Sequence, residues 1–78
     1  MVAKPEISGR TPFADSTTVS LSGPDGADIY YTLDGSTPTS ESTMYTEEFG
    51  LSETTTVKAV AIKDGQSSQV VSKIFTKG

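Results

Sequence analysis

Between Asp28 and Thr39 a strand signal runs directly into dense turn punctuation, and this stretch limits what the chain can fold into. Ile29, Tyr31 and Leu33 alternate with Tyr30 and Thr32, the two-residue period of a strand with one buried face, and the residue types are good strand formers. Asp34-Gly35 ends the run: Gly permits positive φ and Asp bonds to nearby backbone, while Pro38 has no N–H to give a central ladder. The stretch holds no strongly reactive side chain. Its message is architectural.

The remaining segments follow the same grammar. Residues 1–16, with Pro5, Gly9 and Pro12, predict an edge-like first strand interrupted by a bend. Thr17 to Ser22 places Val19 and Leu21 on one face, and the Gly23–Gly26 turn is expected to join it to the 28–33 strand as a hairpin-like pair. Residues 36–43 read as a solvated loop, and Met44–Thr46 and Phe49–Leu51 as two very short strands flanking Glu47-Glu48. Thr55 to Lys63 carries apolar residues on both faces and predicts the central strand, with Val57, Ala59 and Ala61 inward and the alanines leaving room for Tyr31 from the opposite sheet. After the Asp64-Gly65 turn, Ser68 to Thr76 returns as the last strand, with Val70 and Ile74 expected inside and Val71 and Phe75 less covered. No window shows helical periodicity. Seven short strands with regular turns predict one all-β domain, an antiparallel sandwich in preference to a small barrel.

Composition narrows the chemistry. Hydrophobic residues make up only 33%, but twelve Thr and eleven Ser suit exposed strand positions, and a net charge of −4 is too small to argue for disorder. The chain has no Cys, His, Trp or Asn, which removes disulfides, the usual zinc ligands, Cys or Ser–His nucleophiles and a histidine base. Only six scattered Lys and Arg residues argue against nucleic acid and anionic membrane as partners. No apolar run reaches the roughly 18 residues of a membrane span, and we expect no membrane insertion.

Ile29-Tyr30-Tyr31-Thr32-Leu33-Asp34-Gly35-Ser36-Thr37-Pro38-Thr39, then Ser42, Tyr45, the run Thr54 to Ala61 and the Gly65 turn, resemble the domain at the C-terminus of chitobiases and β-hexosaminidases, over about residues 5–76. The resemblance implies an immunoglobulin-like antiparallel β-sandwich, attached in many cases to secreted bacterial carbohydrate-active enzymes. A second likeness, Leu51 followed by Val57, Ala59 and Ala61, follows the spacing of fibronectin type III modules. Val57 stands where those modules carry a corner tyrosine, so that hydrogen bond is not expected. The resemblance carries over no catalytic residue. Tyr31, Asp34, Gly35, Pro38, Ala59 and Ala61 are read as structural.

Exposed aromatic rings are how a sandwich of this kind would grip sugar, an aromatic face packing on the apolar face of a pyranose. Tyr30 is the candidate ligand-binding residue, with Tyr45 and Phe49 extending its surface, set against simple cross-strand packing. Asp25, Asp28, Asp34 and Asp64 lie at turns, where calcium ligands are found, but their spacing matches no calcium loop and turn capping is the simpler role. Glu47-Glu48, or Glu41 with Glu53, have the residue type of a glycosidase pair, but a thin domain has no deep cleft to raise one carboxylate's pKa. Ser72-Lys73 reads as an alternating strand pair.

The expectation is therefore a non-enzymatic, cofactor-free, monomeric accessory module, one domain over residues 1–78 of a longer secreted or cell-surface protein. Its partners are neighbouring domains of that polypeptide, and polysaccharide if the aromatic surface is used. A carbohydrate-binding module and an adhesion or phage-tail display module are the alternatives.

Overall fold

The computed structural model describes residues 2–24 and 26–78. Among these residues eight strands form two antiparallel sheets: β1 (Glu6–Ser8), β2 (Thr17–Ser22), β3 (Asp28–Thr32), β4 (Thr43–Met44), β5 (Phe49–Leu51), β6 (Thr55–Lys63), β7 (Gln66–Ser67) and β8 (Val71–Phe75). The first sheet has the order β1-β2-β5; the second has the order β4-β3-β6, with β7 and β8 both paired to the far side of β6. No described residue is helical. The chain is an immunoglobulin-like sandwich, as the turn spacing and strand alternation predict.

The centre is β6, paired to β3 on one side and to β8 on the other. Its inward residues Val57, Ala59 and Ala61 are completely buried, and they meet Val19, Leu21, Ile29, Leu51, Phe13 and Phe75 in one core. Tyr31 reaches the core differently from the sequence expectation: it is the register partner of Ala59 in the same sheet, not a residue of the opposite one. The small alanines keep the middle of the sheet thin, so bulk is supplied from neighbouring strands and from the facing sheet.

The segment joining β2 to β3 corrects a second expectation. These strands do not form a hairpin, because β2 pairs with β1 and β5 while β3 pairs with β4 and β6. Val19 and Leu21 on β2 and Ile29 on β3 all need burial, and placing the two strands in facing sheets lets these side chains meet across the core. Asp25 of this turn lies outside the described residues. A true tight hairpin occurs at Asp64-Gly65, where φ is 52° and 78°; two successive positive φ values are those of the turn whose twist matches paired strands.

The return strand holds the third correction. Phe75 is fully buried and Ile74 is 60% exposed, so the inward parity is Val71, Lys73, Phe75. Lys73 occupies an inward position opposite Val57, with its ammonium 5.6 Å from the centroid of the Phe75 ring. A lysine pointing inward on an outer strand blunts edge-to-edge pairing, and the cation is accommodated over an aromatic face. Val70 is exposed because the strand is broken before it: Ser68 N–H donates to Ala61 O at 2.8 Å, and Ser68 Oγ accepts from Ala61 N–H at 2.9 Å. A side chain thus replaces a ladder carbonyl, which divides the expected single strand into β7 and β8.

At the start of the chain the predicted bend separates β1 from Phe13. Beyond it Phe13 N–H donates to Thr76 O and Gly78 N–H to Phe13 O, a short parallel bridge that docks this segment on the end of the last strand. Gly9 makes the approach possible, since a Cβ there would lie 2.7 Å from the Phe75 ring and 2.9 Å from Thr18 O.

The parity of β8 is testable by urea unfolding. Phe75→Ala is expected to cost about 3–5 kcal/mol as a large aromatic truncation, whereas Ile74→Ala stays within about 0.5 kcal/mol as a surface change. Comparable losses at both sites would contradict this parity.

Candidate functional site

Tyr30 and Tyr31 point to opposite faces of β3, and the structure divides the aromatic trio accordingly. Tyr45 and Phe49 do not extend a surface around Tyr30; they gather on Tyr31. Tyr31 and Phe49 stack with centroids 4.6 Å apart and planes 7° from parallel, and Tyr45 meets each ring edge-on at 6.4 and 6.3 Å. The reason is topological. Tyr31 lies on the inner face beside short β4, Phe49 lies on β5 at the edge of the other sheet, and Tyr45 follows β4 with its N–H donated to Ile29 O at 2.7 Å. The three half-buried rings close the open side of the sandwich, where β4 and β5 leave a gap between sheets.

Tyr30 is half-buried on the outer face, between Met44 and Val60 in the register. Val60 is only 2% exposed although it too faces outward. The segment expected to be a solvated loop covers this face: Pro38 is buried, and Thr37–Ser40 form one wall of a groove of about 440 Å³ over Val60 and Ile62. The loop is internally tied. Thr39 N–H donates to Ser42 Oγ, Ser42 N–H to Thr39 O, and Glu41 N–H to Thr39 Oγ1, at 2.9, 3.0 and 3.2 Å. Thr39-x-x-Ser42 was the available sequence signal, because hydroxyls at that spacing bond to local backbone.

Asp34 sits at the turn after β3. Its Oδ1 accepts from Ser36 N–H at 3.0 Å and from Ser36 Oγ–H at 2.6 Å, and Thr32 Oγ1–H donates to Ser36 O at 2.6 Å. The Ser36 hydroxyl and then its N–H hold the Asp34 carboxyl below its ordinary value. Gly35 follows with φ of 82° and open space where a Cβ would project, so its role is conformational. Ala59 and Ala61 are core residues, and Pro38 packs the outer face.

A depression of about 480 Å³ adjoins Tyr31, walled by residues 31–34 on one side and by Glu41, Ser42 and Thr43 on the other. Leu33, expected inside from its alternation, is 42% exposed and lines this depression because β3 ends at Thr32. The sequence offers Glu41 only as one carboxylate of a glycosidase pair with Glu53, which does not line this depression, and Leu33 only as an inward strand residue. Among the described residues no three acidic side chains converge as metal ligands. Asp28 pairs near Ile62 at one end of β6, Asp34 bridges Thr56 at the other, and Asp25 lies outside the described residues. No helix among the described residues is long and apolar enough to cross a membrane.

These features define an immunoglobulin-like β-sandwich whose lateral gap is sealed by aromatic rings. The profile of the Chitobiase/beta-hexosaminidase C-terminal domain matches residues 8–73, and the chain belongs to that family. Domains of this family are accessory parts of glycosidases, outside the catalytic machinery. No curated protein matches the chain.

Two measurements test the local geometry. In a double-mutant cycle, Tyr31→Ala and Phe49→Ala are expected to couple by about 0.5–1.5 kcal/mol beyond lost burial; additivity would remove the stacked pair. For Asp34, a lowered folded-state pKa means stabilisation that is present above the unfolded value and lost as pH falls through the folded one. Ser36→Ala is expected to raise the Asp34 pKa toward 3.8 in a carboxyl-detected NMR titration, so an unmoved pKa would refute the assigned cause.

Proposed function

We propose that this domain is a rigid, non-catalytic spacer and docking module within a longer secreted or surface-displayed carbohydrate-active protein of bacterial type, acting as a monomer on neighbouring domains of its own polypeptide. The observation that carries the proposal is the placement of the chain's entry and exit on one stiff body. The structure extends 39 × 22 × 17 Å. β1 pairs with the end of β2 that leads into the Gly23 turn, while the residues after β8 lie beside Phe13 and Thr54, where β2 and β6 begin. Entry and exit therefore fall at opposite poles.

The exit is clamped from two directions. Thr76 N–H donates to Thr11 Oγ1 at 2.9 Å, and Lys77 N–H to Thr54 Oγ1 at 3.0 Å, in addition to the parallel bridge with Phe13. A segment held this way transmits its orientation to whatever follows it. A flexible linker of the same span would sample a broad distribution instead.

The test uses the natural polypeptide, with this domain either intact or replaced by a Gly/Ser linker of equal contour length. Hydrolysis of a soluble oligosaccharide is expected to be unchanged, and hydrolysis of the insoluble polymer to fall several-fold. Unchanged polymer hydrolysis, or turnover of substrate by the isolated domain, would overturn the proposal.

A further inference from the structure

The depression beside Tyr31 has the makings of a site. Its volume of about 480 Å³ falls in the range of small-ligand pockets, roughly 300–1,000 Å³. Its walls combine Tyr31, the exposed aliphatic Leu33, two carboxylates and the three hydroxyl side chains of Thr32, Ser42 and Thr43, with no basic group among them. Tyr31 is fixed from behind by the parallel Phe49 ring and the Tyr45 edge. Asp34 is fixed by two hydrogen bonds from Ser36 to Oδ1, which leave Oδ2 open as an acceptor. On the opposite wall, the Thr39–Ser42 bonds hold the backbone that carries Glu41. Binding groups that are already ordered lose little freedom when a ligand arrives.

We propose that this depression binds one residue of a neutral, hydroxyl-rich pyranose chain. The apolar C–H face of the sugar packs against Tyr31 and Leu33, and its hydroxyls donate to the Asp34 and Glu41 carboxylates. Hydrogen bonds to an ionised acceptor are the strong kind, and a carboxylate has lone pairs for adjacent hydroxyls of one ring. The same two negative charges reject uronic and sulfated sugars by like-charge repulsion. The proposal rests on the accessory-module reading only in choosing a sugar panel, and it replaces Tyr30 with Tyr31 as the aromatic platform.

The test is titration of the ¹⁵N-labelled 78-residue chain with oligomers of glucose, xylose and N-acetylglucosamine, with galacturonate oligomers and free-amine glucosamine oligomers as further arms. Saturable amide shifts confined to residues 31–34 and 41–43 are expected with at least one neutral oligomer. Leu33→Ala and Glu41→Gln, both at positions outside the core, are each expected to weaken binding about ten-fold while leaving the unfolding midpoint in place. Overturning results are absence of shifts in these segments across the neutral panel at about 10 mM, equal binding of galacturonate, binding only of the amine-bearing oligomer, or unchanged affinity in both variants. Because binding is read directly, this outcome is independent of the linker replacement: unchanged hydrolysis there removes the spacer role, and missing shifts here remove the site.

Discussion

The sandwich depends on how little space the middle of β6 occupies. Ala59 and Ala61 are completely buried, one paired with Tyr31 and the other with Ile29. Two alanines at the centre of a core contribute little transfer free energy themselves, at about 25 cal/mol per Å² of apolar surface removed from water. Their effect is geometric: they let facing side chains approach, so the bulk comes from elsewhere. Phe75 and Phe13 fill one end, Val19 and Leu21 the facing sheet, and the Tyr31–Phe49 stack the open side. Larger residues at 59 and 61 would push against groups that are already packed.

A core assembled from the periphery makes the edges matter more than in a larger protein, since a domain of about this size buries only about 60% of its unfolded surface. The edges of the larger sheet have specific devices. The outer strand β8 turns Lys73 inward over Phe75, Ser68 breaks the ladder with its own hydroxyl, and β4 is only two residues long. Such features discourage pairing with another chain while leaving the covered core intact. The clamp of Thr11 and Thr54 on the last strand serves the same end, because backbone groups that would face water at the terminus of the strand are given partners.

How far these arrangements were legible depended on the kind of signal. Alternation placed β2, β3 and β6 and their inward residues apart from Leu33, which lies past the end of β3, and Asp64-Gly65 announced its hairpin, because both rest on local rules that tertiary context left largely undisturbed. The parity of β8 was read the wrong way. Val70 and Ile74 formed an apolar alternation as good as Val71 and Phe75, and a lysine at the intervening inward position masked the correct one. The β2–β3 link failed for a different reason: sequence proximity favours a hairpin, and only the common need of Val19, Leu21 and Ile29 for a facing sheet overrules it. In the site, Tyr31 was assigned inward correctly, but the gathering of Tyr45 and Phe49 on it is a property of two strands from different sheets meeting at an edge. Nothing in their spacing encodes that meeting.

That edge is also where stability and the proposed sugar recognition share one side chain. Tyr31 has to cover Phe49, or the gap between β4 and β5 opens onto the core; it also lines the adjoining depression. Half-burial satisfies both demands. A ring sunk fully inside would offer nothing to a ligand, and one lying free on the surface would lose rotamer freedom on binding and leave Phe49 bare. The ordering of Tyr31 is accomplished during folding by contacts that exist for the core's sake, so a ligand meeting this face finds a platform already set. Under the proposed sugar-binding role, a thin sandwich with few residues to spare gains its binding surface from the same packing that closes it.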